Sequence, residues 1–163
     1  MLNSISKLAL AVLIATPLQV SAQENEGRRI AEDSFKFIAG SERGWIDQGT
    51  FLKAGGDVFA AMDYDQDLKL TLGEFLVFDI GMREVAEKAG RLDAHETAMR
   101  VVFAFWDRDG DGQVSSSEHK RSLSYDFQRA DIDDNARLNL DEYISGFTVM
   151  VALRAAINPA PVE

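Results

Sequence analysis

The stretch from Asp107 to Glu118 carries the strongest chemical signal in the chain. Side-chain oxygens stand at its first, third, fifth, ninth and twelfth residues, Asp107, Asp109, Asp111, Ser115 and Glu118, and the Gln113 carbonyl stands at the seventh. A hard cation such as Ca²⁺ needs six to eight converging oxygens, and a twelve-residue loop delivers them at this spacing. Gly112 holds the sixth place, where a sharp turn favours a left-handed residue. Two further stretches keep the pattern. From Asp63 the ligands would be Asp63, Asp65, Asp67, the Lys69 carbonyl, Thr71 and Glu74, with Leu68 at the turn. From Asp131 they would be Asp131, Asp133, Asn135, the Arg137 carbonyl, Asn139 and Glu142, with Ala136 at the turn. A left-handed residue other than glycine costs roughly 1–2 kcal/mol, so these two loops are expected to bind about tenfold more weakly.

The same frame recurs a fourth time. Phe35, Phe59, Phe103 and Phe127 each precede a polar twelve-residue stretch by four residues, with offsets of 24, 44 and 24 between copies. The eighth residue is apolar throughout (Ile46, Leu70, Val114, Leu138), and an aromatic or His follows each stretch (Phe51, Phe75, His119, Tyr143). In the first copy Ala39, Ser41, Arg43 and Thr50 replace the acids at places one, three, five and twelve, and Arg43 brings a cation into the site. That copy is expected to be metal-free and to serve packing. The offsets divide the chain into two halves of two, about 30–90 and 93–157.

Helical spacing connects these stretches. Ala98, Val101, Val102 and Phe105 recur at helix period after a capping box expected at Asp93 and Glu96. Phe75, Phe78, Met82 and Val85 line one face of a helix expected over Glu74 to Ala89 and stopped by Gly90. Gly81 within that span costs roughly 1 kcal/mol against alanine and marks a weak point. Only twelve residues join the loops within each half, so each pair shares one helix or uses two very short ones. Gly55 and Gly56 favour a break in the first connector, whereas the second, without Gly or Pro, reads as continuous.

Over roughly Glu32 to Phe147 the sequence resembles the EF-hand family, in which helix, calcium loop and helix repeat. The short offset is similar to that of secreted bacterial members. The resemblance implies an all-α fold of four hands, the first degenerate, and calcium held by three loops.

Composition narrows the remaining classes. Acids outnumber Lys plus Arg by 27 to 17, a net charge of −10, which is the wrong sign for nucleic acid. Cysteine is absent and only two histidines occur, so thiolate chemistry is excluded and zinc is poorly supplied. Lys7, the apolar run Leu8 to Ile14, Pro17 and the small-residue pattern Val20, Ser21, Ala22 read as a signal peptide over residues 1–22. A span needs roughly 18 to 20 apolar residues, so no membrane segment is expected after cleavage. The mature chain is then periplasmic or secreted, with a mobile tail over residues 158–163. His95 and His119 lack any catalytic pattern, and no nucleophile or cofactor loop is evident, so an enzyme is not expected. Met62, Met82, Met99 and Met150 fill the core or line a metal-opened groove for a protein partner.

Overall fold

The computed structural model describes residues 17–158. The predicted signal core at Lys7 and Leu8 to Ile14, and the tail beyond Asn158, lie outside the described residues. The described chain is mostly helical, with two small two-stranded sheets. In order it forms α1 (Pro17–Phe37), a 3₁₀ turn (Ser41–Arg43), β1 (Trp45–Asp47), α2 (Gln48–Met62), β2 (Lys69–Thr71), α3 (Leu72–Val77), α4 (Met82–Lys88), α5 (Leu92–Trp106), β3 (Gln113–Ser115), α6 (Ser116–Ala130), β4 (Arg137–Asn139), α7 (Leu140–Gly146) and α8 (Thr148–Ile157). No helix among the described residues is long and apolar enough to cross a membrane. Helix α1 runs through the expected signal junction after Ala22.

Each short connector is one helix, α2 in the first half and α6 in the second. The break expected at Gly55 and Gly56 does not form. Helix α2 packs against α6, and a methyl group on Gly55 would stand 2.1 Å from Leu123 Cδ1, so this glycine permits a close helix crossing. The helix expected over Glu74 to Ala89 is instead two. Helix α3 ends at Val77, and Gly81 (φ +97) opens α4 in a left-handed conformation that glycine adopts freely. The break carries Met82, Val85 and Ala86 into the core, where α4 packs against α5 and α1. The capping box expected at Asp93 and Glu96 is also absent. Helix α5 starts two residues earlier with Arg91 as its cap, Glu96 accepts from Arg83 Nη1 at 3.0 Å, and the Asp93 carbonyl accepts from Thr97 Oγ1 at 2.8 Å.

The repeat positions build the core. All four phenylalanines that precede the loops are buried, as are Phe51, Phe75, His119 and Tyr143 after them, and the apolar eighth residues have no exposed surface at all. Those eighth residues sit at the centres of the sheets. Strands β2 and β3 pair antiparallel with Leu70 opposite Val114, and β1 and β4 pair with Ile46 opposite Leu138. The sheets therefore join the second loop to the third and the first to the fourth, and the two sequence halves interleave around one hydrophobic cluster.

Candidate metal centres

Local chemistry draws the acids of three loops together. One oxygen from each of Asp63, Asp65 and Glu74 lies within 4.8 Å of the other two, and the same holds for Asp107, Asp109 and Glu118 and for Asp131, Asp133 and Glu142. Oxygens around Ca²⁺ sit at 2.3–2.6 Å, so two on opposite sides are about 5 Å apart, and all three triplets fit one shell. The donor set is oxygen alone, the chemistry of hard cations.

Backbone N–H groups hold this arrangement against like-charge repulsion. The first acid accepts from the sixth residue in every loop: Leu68 N to Asp63 Oδ2 at 3.0 Å, Gly112 N to Asp107 Oδ2 at 2.9 Å, and Ala136 N to Asp131 Oδ2 at 2.9 Å. The third acid accepts from the fifth residue, at 3.3 Å to Asp65, 3.1 Å to Asp109 and 3.3 Å to Asp133. At the fifth place Asp67 and Asp111 accept from the seventh residue, each at 2.8 Å, whereas the Asn135 amide donates to Asp133 Oδ2 at 2.8 Å.

The ninth and twelfth residues do double duty. Thr71 with Glu74, Ser115 with Glu118, and Asn139 with Glu142 form capping boxes that start α3, α6 and α7. The twelfth acid also reaches back to the second residue, with Tyr64, Arg108 and Ile132 donating N–H at 3.0, 3.0 and 3.1 Å. One side chain thus closes the loop and begins its helix. These bonds stabilise the charged form: the Ser115 hydroxyl, aided by the N–H groups of Ser115, Arg108 and Asp109, holds Glu118 down to about 2. The Thr71 N–H and hydroxyl lower Glu74 in the same direction.

The turn has two left-handed residues in each of the three loops. Leu68 (φ +68) and Ala136 (φ +60) adopt the expected conformation at the sixth place, and Gln66 (φ +61) and Asp134 (φ +60) adopt it at the fourth as well. In the Asp107 loop both places are glycine, Gly110 and Gly112. The fourth place was missed by sequence reasoning, although Gly110 was a visible signal. The reach of Lys69 was also missed: its Nζ donates to Gln113 Oε1 at 2.8 Å and lies 3.8 Å from Asp111, so the second loop sends a cation toward the third.

The first loop gathers no acidic triplet among the described residues. Ser41 is buried, with its hydroxyl donating to the Lys36 carbonyl, and Asp47 caps α2 by accepting from Thr50 N at 2.8 Å. Both histidines are buried; the His119 ring meets Trp106 edge-on (centroids 4.9 Å) and Phe59 at a tilt (5.1 Å), and burial pushes it down to about 4.

An apolar cleft of about 720 Å³ opens between α1, α2 and the segment joining α3 to α4. Phe51, Met62, Phe75, Met99, Phe147 and Met150 line it, with Glu26, Arg29, Asp33, Asp57 and Glu84 also on its walls. Three of the four singled-out methionines face this space; Met82 is fully buried elsewhere. Comparisons with protein-family models, curated proteins and solved structures found no match.

Proposed function

We propose that this chain is a non-enzymatic calcium-binding protein of EF-hand type, acting outside the cytoplasm, with ion sites in the loops beginning at Asp63, Asp107 and Asp131. The single observation that carries this reading is the triple repetition of one acidic geometry, each triplet of oxygens within 4.8 Å and each closed by the same N–H pattern. The ligand side chains sum to −4, −4 and −3, a self-repulsion that a divalent ion relieves. The twelfth position favours Ca²⁺ over Mg²⁺, because a Glu there can offer both oxygens, which the larger cation accepts more readily than a strict octahedron does. Calcium titration calorimetry on the chain from Gln23 onward tests the reading, with about three sites expected and the Asp107 loop tightest. No heat and no uptake at millimolar Ca²⁺ would reject it.

The cleft favours a second reading, a calcium-regulated adaptor that holds a protein partner against its methionine-rich wall. It requires that calcium enlarge the exposed apolar surface. A dye that reports such surface separates the two, since an unchanged or falling signal on calcium addition argues for structural support or buffering.

A further inference from the structure

We propose that the degenerate first loop is a metal-independent clamp for the fourth, with Arg43 and Trp45 positioning the Asp131 site. The proposal rests on the calcium reading above and assigns that site its regulation.

Arg43 stands at the fifth place, where the other loops carry Asp67, Asp111 and Asn135. Its side chain folds back over its own loop: Nε donates to the Gly40 carbonyl at 3.0 Å, and Nη2 lies 4.0 Å from Asp47 Oδ2. A methyl group on Gly40 would stand 2.6 Å from Arg43 Nη2, so glycine at that left-handed position (φ +86) leaves the room the guanidinium uses. The loop thereby supplies its own cation. Asp47 caps α2 and β1 pairs with β4, so the order of this loop rests on its own side chains and strand.

Trp45 carries this order to the neighbour. The Arg43 guanidinium lies 4.2 Å from the Trp45 ring centroid, and the Arg137 guanidinium lies 4.0 Å from the same centroid. Two planar cations this close to one ring would collide on a shared face, so they bracket the indole. Arg137 is the seventh residue of the Asp131 loop, the one whose carbonyl is a ligand in the pattern. Strand pairing adds to the hold, since Asp47 faces Arg137 and Trp45 faces Asn139, the ninth-place ligand. The corresponding residues of the second loop, Lys69 and Thr71, instead face Ser115 and Gln113 in a loop that needs an ion of its own. One sheet thus joins two ion-dependent loops, and the other joins an ion-dependent loop to a self-sufficient one. The Asp131 site, braced by a loop that binds no ion, fills independently, whereas the Asp63 and Asp107 sites fill as a coupled pair.

Trp106→Phe leaves Trp45 as the single tryptophan of the full chain, so its emission can follow the first and fourth loops during Ca²⁺ titration. One single-site transition is expected, abolished by Glu142→Gln and retained in Glu74→Gln and Glu118→Gln. Arg43→Gln should move its midpoint to about five- to tenfold higher calcium while calorimetry still counts three sites, and Arg43→Lys should recover only part of the shift. Should Arg43→Gln lower the helix content in circular dichroism, Arg137→Gln, which keeps the Arg137 carbonyl, should give the same shift. A midpoint within twofold of the parent in both variants overturns the clamp, as does a Trp45 transition lost with Glu118→Gln. Three filled sites with an unmoved midpoint remove the clamp alone; a parent chain that takes up no calcium removes the calcium reading with it.

Discussion

Gly146 of α7 lies directly against Ala130, the last residue of α6: a methyl group on Gly146 would stand 2.4 Å from the Ala130 Cα and 2.6 Å from its Cβ. Ala130 immediately precedes Asp131, so this contact sets the distance between the two helices that flank the fourth loop. Gly146→Ala gains about 1 kcal/mol of helix propensity but meets backbone that no side-chain rotation can move aside. The net expected effect is a loss of about 1–3 kcal/mol, measured as a lower urea midpoint for the metal-free chain. Gly55→Ala should cost less, because its methyl meets only the end of the flexible Leu123 side chain. Equal or greater stability of Gly146→Ala would contradict the packing described.

Strain at Ala136 should appear in folding rather than in ion affinity. The residue is exposed and left-handed (φ +60), and its N–H donates to Asp131 Oδ2 at 2.9 Å, so the loop's own bonds hold the turn and its cost falls on the fold. Ala136→Gly is therefore expected to stabilise the metal-free chain by about 0.5–1 kcal/mol and to leave the Asp131 site affinity within about twofold. Thermal unfolding with and without calcium distinguishes this from a tenfold tighter site.

Glu118→Gln keeps one acceptor oxygen where Glu118 offers two, so either the Ser115 or the Arg108 N–H loses its partner, and the charge and one ligand oxygen go with it. Calorimetry should lose the tightest site, and the stability of the metal-free chain in thermal unfolding should fall by about 1–2 kcal/mol. Thr50→Val, at the same place in the first loop, should leave the stoichiometry unchanged, since Asp47 is held through the Thr50 N–H.

Acid should weaken the metal-free chain from a higher pH than its carboxylates alone would dictate. His119 titrates at about 4 when folded and near 6.5 when unfolded, so the unfolded state binds the proton first. Its contribution is complete above pH 6.5 and is lost as the pH falls toward 4, up to about 3 kcal/mol, with burial moving His95 in the same direction. Glu118 adds a loss only below its unfolded value near 4.5, as the pH falls toward about 2. Asp126, raised by burial, works the opposite way and favours the fold as it protonates. Urea unfolding at pH 7.5 and 4.5 should show the difference, and His119→Phe, matching Phe51 and Phe75 in the repeat, should reduce it.

Much of the candidate site was legible because an oxygen shell for a hard cation and a helix start each demand a fixed spacing. A Ser, Thr or Asn three residues before a Glu satisfies both demands, which is why Ser115 with Glu118 could be read as ligands and also act as a cap. The fully buried eighth residues followed from the same register. Helix continuity was less legible. Gly55 is a breaker by propensity, yet α2 packs along α6 there with Leu123 beside the glycine, so packing overrides the local preference. The Asp93 and Glu96 pair failed for the converse reason, a partner at Arg83 that lies in another helix. Loop pairing was not legible at all. Each strand is three residues with one buried centre, so nothing in the local pattern states which strand lies opposite.

Helices α2 and α6 each leave one loop and lead into the next, while the two sheets tie the second loop to the third and the fourth to the first. The four loops therefore form a closed circuit of alternating rods and rivets, in which none is terminal. Breaking any one link leaves all four loops joined through the other three.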